Sequence, residues 1–175
     1  MKKYFLLLLV LVLSIFMKSN IYAESKIVYI DLQKIMKVSK AGKNISSQLE
    51  KIHKTNIANF KKTEDKLKKD EEKIVSQKNV LSKDDFQKAL NKLRVEANNY
   101  RKSRNENINS LTKKRIEATA KLINMINPLL AKYSDENAIS IIIQKKNIII
   151  GKSELDITDK ILKLVDKEIK TFKLN

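Results

Sequence analysis

The sequence predicts an α+β chain that is mostly α. A long antiparallel coiled-coil helical hairpin, the arm, is attached to a small β-body shared between subunits and is followed by a C-terminal amphipathic helix. Three observations carry this. Only two glycines and one proline occur in 175 residues, too few turn-formers for a many-turned β fold. Phe60, Leu67, Ile74 and Leu81 recur every seven residues, the period of a supercoiled helix pair. Isoleucine-rich, β-branched segments stand on either side of that stretch, where short strands are favoured.

The N-terminus bounds the compartment. Met1-Lys2-Lys3 is positive, Tyr4 to Met17 is an uncharged apolar run of 14 residues, and Lys18 to Ala23 is more polar. That order reads as a secretory signal peptide over residues 1–23, cleaved after Ala23. A membrane span needs about 20 apolar residues, and this run stops short. The chain has no cysteine, so neither lipid attachment through cysteine nor a disulfide is available. Stability must come from burial and from partner chains.

In the mature chain, Lys26-Ile-Val-Tyr-Ile-Asp31 reads as a strand buried on both faces, because its alternation is poor. Asp31 reads as the N-cap of a helix over Leu32 to Val38. From Asn44 to Val80 no glycine or proline interrupts the chain. The companion seam positions Asn56, Thr63, Asp70 and Gln77 are polar, so the seam is thin. Ser82 with Asp85 resembles a capping box. It predicts a turn at residues 80–83 and a second helix carrying Phe86, Leu90, Leu93, Ala97 and Tyr100 in 4-3 spacing. Folding about residue 83 sets Ile74 against Leu93, Leu67 beside Tyr100, and Phe60 opposite the polar stretch near Glu106. Each side of the arm is about 37 residues, or roughly 55 Å, long. Apolar positions return at Ile108, Leu111 and Ala118 and thicken from Leu122 to Leu130. The thin middle, near residues 56–66 and 101–107, is a candidate bend.

Beyond Asn137, Ala138–Gln144 and Asn147–Gly151 read as two strands of a β-hairpin turned at Lys145-Lys146. Asp156-Ile-Thr-Asp159 opens the last helix, whose stripe is Ile157, Ile161, Leu164, Val165, Ile169 and Phe172. The body thus comprises residues 24–43 and 123–175, and the arm residues 44–122. So small a sheet leaves apolar surface and strand edges that proteins cover or pair. Self-association through the strand-bearing ends is the economical solution.

This order of segments resembles the Skp/OmpH family of periplasmic chaperones. The matching residues are Lys26-Ile-Val-Tyr-Ile-Asp-Leu-Gln-Lys-Ile35, Ser39-Lys-Ala-Gly-Lys43, the segments Ile139–Gln144 and Asn147–Gly151, and Leu155-Asp-Ile-Thr-Asp-Lys-Ile161. The resemblance covers essentially the whole mature chain. It implies a homotrimer whose strand regions build a shared β-body. Three arms then surround a cavity that holds unfolded outer-membrane β-barrel proteins before membrane insertion. It implies no ATP and no cofactor. It also implies contact with anionic lipid or lipopolysaccharide through basic residues, although no local motif carries those positions over. The chain departs from the family in its lysine and asparagine content and its sparse seam.

Charge locates the working surface. The chain carries +17, and losing the three lysines of residues 1–23 leaves +14. Residues 40–121 hold 22 bases and 11 acids, so most of the excess sits on one extended element. Such an element attracts acidic chains and anionic surfaces, and many weak contacts on several arms add through effective concentration. The candidate client-binding residues are Lys66, Lys68, Lys69, Lys78, Lys88, Lys92, Arg94, Arg101, Lys102 and Arg104. Phe86 and Tyr100 lie on the seam, where packing is their first role.

Other classes fit less well. His53 is the only histidine and has no partners for acid–base chemistry. No glycine-rich phosphate loop is present. Asp156-Ile-Thr158 reads as a helix cap, not a nucleophile site. The expectation is therefore no enzyme, no metal and no cofactor. A nucleic-acid-binding coiled coil is opposed by the signal peptide and by few aromatic residues for base stacking. A periplasmic spacer or tether is the remaining alternative to a chaperone.

Overall fold

The structure is a computed structural model and describes residues 25–174. The signal-peptide expectation for residues 1–23 lies outside them. The element order is β1 (Lys26–Ile30), α1 (Leu32–Val38), α2 (Lys40–Ser76), α3 (Lys83–Glu136), β2 (Ile139–Gln144), two single 3-10 turns, and α4 (Thr158–Glu168). Among the described residues no helix is long and apolar enough to cross a membrane.

The first three helices each start where the N-cap side chain satisfies one of the free N–H groups. Asp31 accepts from the Lys34 amide at 2.8 Å and starts α1. Ser39 accepts from the Gly42 amide at 3.0 Å and starts α2. Ser82 accepts from the Asp85 amide at 3.2 Å and opens α3, and its hydroxyl reaches the Asp85 carboxylate at 2.7 Å. The N-cap read from sequence is in place, with the Asp85 carboxylate taking the Ser82 hydroxyl rather than its backbone amide.

The hairpin of α2 and α3 is the arm. Its turn differs from the expected one: α2 ends at Ser76, and Gln77 to Leu81 make the turn and bend. The connection between the helices is centred near residues 79 and 80 rather than 83. The seam nevertheless keeps close to the expected pairing. Phe60 lines hollows with Ser103, Arg104 and Asn107, the polar stretch expected opposite it, and it also packs edge-to-face on Tyr100, with ring centroids 5.9 Å apart. The Ile74–Leu93 neighbourhood near the tip is as expected.

The core lies at the other end. Ile45 and Leu49 of α2 and Ala118, Leu122 and Ile126 of α3 pack with Val28, Ile30, Ile35, Ile139, Ile157, Ile161, Val165 and Ile169. The large aliphatic side chains among these each contribute about 1.5–3 kcal/mol by leaving water. Beyond Leu49 and Ala118, no arm residue is buried. The helices are thus held at their root and only lightly zipped outward.

The sheet corrects one expectation. β2 pairs with β1, in parallel, from Ile27↔Ile141 to Ile30↔Gln144. The segment Asn147–Gly151 is not a strand, and no β-hairpin forms. A two-residue hairpin turn needs positive φ at its centre, whereas among the described residues only Ala138 has positive φ. Lys145–Asn147 instead makes a 3-10 turn, closed from the Ile148 amide to the Lys145 carbonyl at 3.0 Å. Ile149 and Ile150 are left 99% and 90% exposed. On its other side β1 meets the start of α4: the Ile157 amide donates to the Tyr29 carbonyl at 3.0 Å.

Ile157, Ile161, Val165 and Ile169 of the C-terminal stripe are buried, but the helix stops at Glu168, so Phe172 of the expected stripe lies half-buried on the tail. The tail after α4 is pinned by one side chain. The Gln48 amide donates to the Phe172 carbonyl at 2.8 Å and accepts from the Leu174 amide at 3.0 Å. Lys121 sits 4.5 Å from the centre of the Phe172 ring.

Candidate functional site

All ten basic residues picked from the sequence are exposed on the outer arm, and the structure divides them. Lys66 bridges the two helices, 2.6 Å from Glu96 and 2.9 Å from Asp70. Those hydrogen bonds, Glu96's first, push its ammonium well above its ordinary value. Arg104 lies 3.7 Å from Glu64 across the hairpin. Lys88 is 3.9 Å from Asp85, and Lys102 is 3.9 Å from Glu106. Arg101 donates to the Asn98 side chain at 3.3 Å. By contrast, Lys68, Lys69, Lys78, Lys92 and Arg94 make no side-chain ion pair or hydrogen bond among the described residues.

The division has a physical meaning. A base already facing a carboxylate has spent part of its field locally, whereas an unpaired one keeps its charge for an incoming anion. The unpaired five lie on the outer half of the arm, on both sides of the tip.

One arm feature went unread in the sequence. Glu64 accepts from the Tyr100 hydroxyl and also faces Arg104. The hydrogen bond to Glu64 raises the Tyr100 phenol above its ordinary value. With the Phe60 ring against Tyr100, this makes a polar and aromatic clasp between the helices. The sevenfold repeat marked Phe60 and the 4-3 spacing marked Tyr100 as seam residues, but neither pattern paired the two with each other. The clasp sits where the seam is otherwise polar: Asn56, Asn59, Thr63, Asn99, Ser103 and Asn107 line a hollow of about 430 Å³ beside it.

Among the described residues no group of three histidine or carboxylate side chains is close enough to hold a metal ion. His53 lies on α2, exposed, at the root of the arm.

This architecture matches known proteins. The family model "Outer membrane protein (OmpH-like)" matches residues 26–165. The chain belongs to the OmpH-like family. A crystal structure of a candidate outer membrane chaperone (OmpH-like) from Caulobacter crescentus CB15 superposes with a TM-score of 0.81. The two chains are 15% identical, and the match covers 86% of this chain and 89% of the other. At that identity the likeness shows a shared fold. No curated protein matches the sequence significantly. The OmpH-like match contains the strand, the whole arm and most of α4, so the basic arm is a part of the family fold rather than an addition to it.

Proposed function

We propose that this chain is an ATP-independent holdase chaperone of the periplasm. It is secreted by cleavage of residues 1–23, and it binds unfolded outer-membrane proteins between basic arms until they insert. The observation that carries the reading is an extended arm, lightly zipped and without a buried core of its own, bearing exposed and unpaired bases, five of them among the ten picked from the sequence. Membership of the OmpH-like family supports it, as does the fold shared with a candidate outer membrane chaperone.

Assembly into a homotrimer fits the surface of the body. A two-stranded sheet is marginal alone. Here β2 has an open edge, with Ile141 half exposed and Ile149 and Ile150 almost wholly so. Pairing these edges between copies would cover them and would leave residues 44–122 projecting as separate arms. Binding is then a sum of weak contacts made by several arms at once. It needs no cofactor, and anionic lipid or lipopolysaccharide is a second ligand for the same charge.

The test is to dilute a urea-denatured outer-membrane β-barrel protein into buffer with and without the purified mature chain and to follow light scattering. The expected outcome is a soluble complex of defined mass at stoichiometric amounts. A chain that is monomeric and leaves the barrel to aggregate is a spacer or tether instead, and the holdase reading falls.

A further inference from the structure

The root of the arm holds a second surface, unlike the charged outer half. Two hollows meet along one side of the hairpin. The larger, of about 780 Å³, lies at the corner of α1, α2 and α3, with Leu32, Met36, Ile45, Leu49 and Ile123 among its walls. The other, of about 310 Å³, runs outward past Ile57, Phe60 and Ile108. His53 and Leu111 line both, so the hollows form one furrow. Ile57 and Ile108 are 53% and 55% exposed along it. From Gly42 to Glu64 it follows α2 for about 33 Å, the length of about ten residues of extended chain.

The charges around the furrow are not balanced. Both rim carboxylates are already engaged: Glu50 lies 2.7 Å from Lys54, and Glu64 holds Arg104 and Tyr100. Lys37, Arg115 and Lys146 line the inner hollow and make no side-chain ion pair or hydrogen bond among the described residues. An apolar floor under uncompensated bases calls for an occupant that is both apolar and acidic.

Two occupants compete for that description with an unfolded chain. A second copy of this protein would bring an arm with 22 bases and 11 acids over residues 40–121, like charge against like. An anionic lipid would match floor and rim. It would leave Gln33, Ser46, Thr119 and Gln144, which punctuate the inner hollow, facing an acyl chain that cannot hydrogen-bond. An extended peptide backbone needs such partners all along its length.

We propose that the furrow at the arm root seats an extended segment of unfolded polypeptide whose apolar side chains are flanked by aspartate or glutamate. The inference rests on the holdase reading and deepens it. The furrow grips sequence of one chemical type, while the outer arm supplies non-specific attraction. Apolar side chains enter the floor at Ile57, Ile108 and Leu111, and flanking carboxylates meet Lys37, Arg115 and Lys146.

The test uses the full chain and two labelled peptides of alternating valine and serine, one flanked by aspartates and one by lysines, followed by fluorescence anisotropy at low salt. The aspartate peptide binds, and the lysine peptide binds at least about tenfold more weakly. The triple variant Lys37→Gln/Arg115→Gln/Lys146→Gln and the pair Ile57→Ser/Ile108→Ser each weaken the aspartate peptide by about tenfold. All five side chains are exposed, so unchanged helical circular dichroism is expected and checks that the fold survives. If both variants bind the peptide as the parent does, the furrow is not the site, even where the parent still holds a denatured barrel soluble. If phosphatidylglycerol vesicles bind the furrow and the peptide does not, the occupant is an amphiphile and the proposal is overturned. A changed particle mass in the triple variant assigns the furrow to contact between copies, which also overturns it. A parent that binds the peptide through these residues but lets the barrel aggregate supports the furrow and sinks the holdase reading instead.

Discussion

The backbone amide of Asp31 donates to the hydroxyl of Thr158 at 2.8 Å, joining residues 127 apart in the chain. Thr158 is 2% exposed, and its hydroxyl donates in turn to the Asp156 carboxylate. That carboxylate also accepts from the Thr158 amide at 2.9 Å and from Lys145 at 3.2 Å. The Ile157 amide meanwhile donates to Tyr29. The short run Asp156-Ile157-Thr158 therefore stitches the end of β1, the start of α1 and the start of α4 into one joint. It marks the last helix as read from the sequence, and its long-range role comes from the buried hydroxyl.

Replacing Thr158 tests the joint. Thr158→Val keeps the shape and removes the acceptor, so the partly buried Asp31 amide is left without a protein partner. The expected loss is about 1–3 kcal/mol, read as a lower urea midpoint. Thr158→Ser restores the hydroxyl and recovers most of it. Equal midpoints for Val and the parent would mean that water serves the amide equally well.

Asp156 gives the joint a pH dependence. Burial pushes its carboxyl up, but hydrogen bonds from the Thr158 hydroxyl and amide and from Lys145 together hold it below its ordinary value of 3.8. The unfolded chain then takes up this proton more readily than the folded one. The stabilisation is complete above 3.8 and is lost as pH falls through the lower folded value. Asp156→Asn is expected to melt lower at neutral pH. Its melting temperature should fall less steeply than the parent's below about pH 3.8. Parallel acid limbs would assign the acid sensitivity elsewhere.

Gly42 lies where α1 and α2 meet. A Cβ there would stand 1.9 Å from the Met36 carbonyl oxygen, a backbone atom that cannot rotate away. On an open helix, alanine would gain about 1 kcal/mol over glycine. Here the clash decides the sign, and Gly42→Ala is expected to cost about 1–3 kcal/mol as the corner opens. A rise in urea midpoint would show that the corner yields freely.

The large features were legible because they are periodic or locally capped. Ser82 with Asp85 marked the start of α3, and Ile157, Ile161 and Val165 marked the buried face of α4. The missed features depend on partners far away in sequence. Ala138–Gln144 and Asn147–Gly151 have hairpin composition, but β2 found β1 more than a hundred residues back, and composition carries no information about partner or direction. The arm turn was misplaced for a local reason. The sequence has no glycine or proline near residue 77, so the end of α2 had no signal and the turn was centred a few residues late. The ten candidate bases were visible as charge. Their separation into paired and unpaired required the register.

The clasp of Phe60, Glu64 and Tyr100 has a measurable coupling. Phe60→Ala and Tyr100→Ala each remove the edge-to-face contact, and the double variant should lose about 0.5–1.5 kcal/mol less than the sum of the singles. With no buried residue between Leu49 and Ala118, the arm is expected to open without unfolding the body, so hydrogen exchange across residues 56–66 and 101–107 is the proper readout. Additive effects would mean that the rings touch without holding the helices together.

The last expectation separates attraction from grip. Changing Lys68, Lys69, Lys78 and Lys92 to Gln removes four charges, as does changing Lys66, Lys88, Lys102 and Arg104. Net charge falls equally, so long-range steering of an acidic client should slow to a similar degree in both. The unpaired set, however, has no internal carboxylate to share, and its charges are available for contact. Dissociation of a denatured barrel should quicken several-fold only in that variant, roughly the effect of four exposed pairs. The difference should shrink at about 1 M salt, where screening acts within about 3 Å. Stopped-flow dilution of a labelled complex at low and high salt measures both rates. Equal off-rates in the two variants would show that the client is held by net charge alone, and that the pairing seen along the arm has no part in binding.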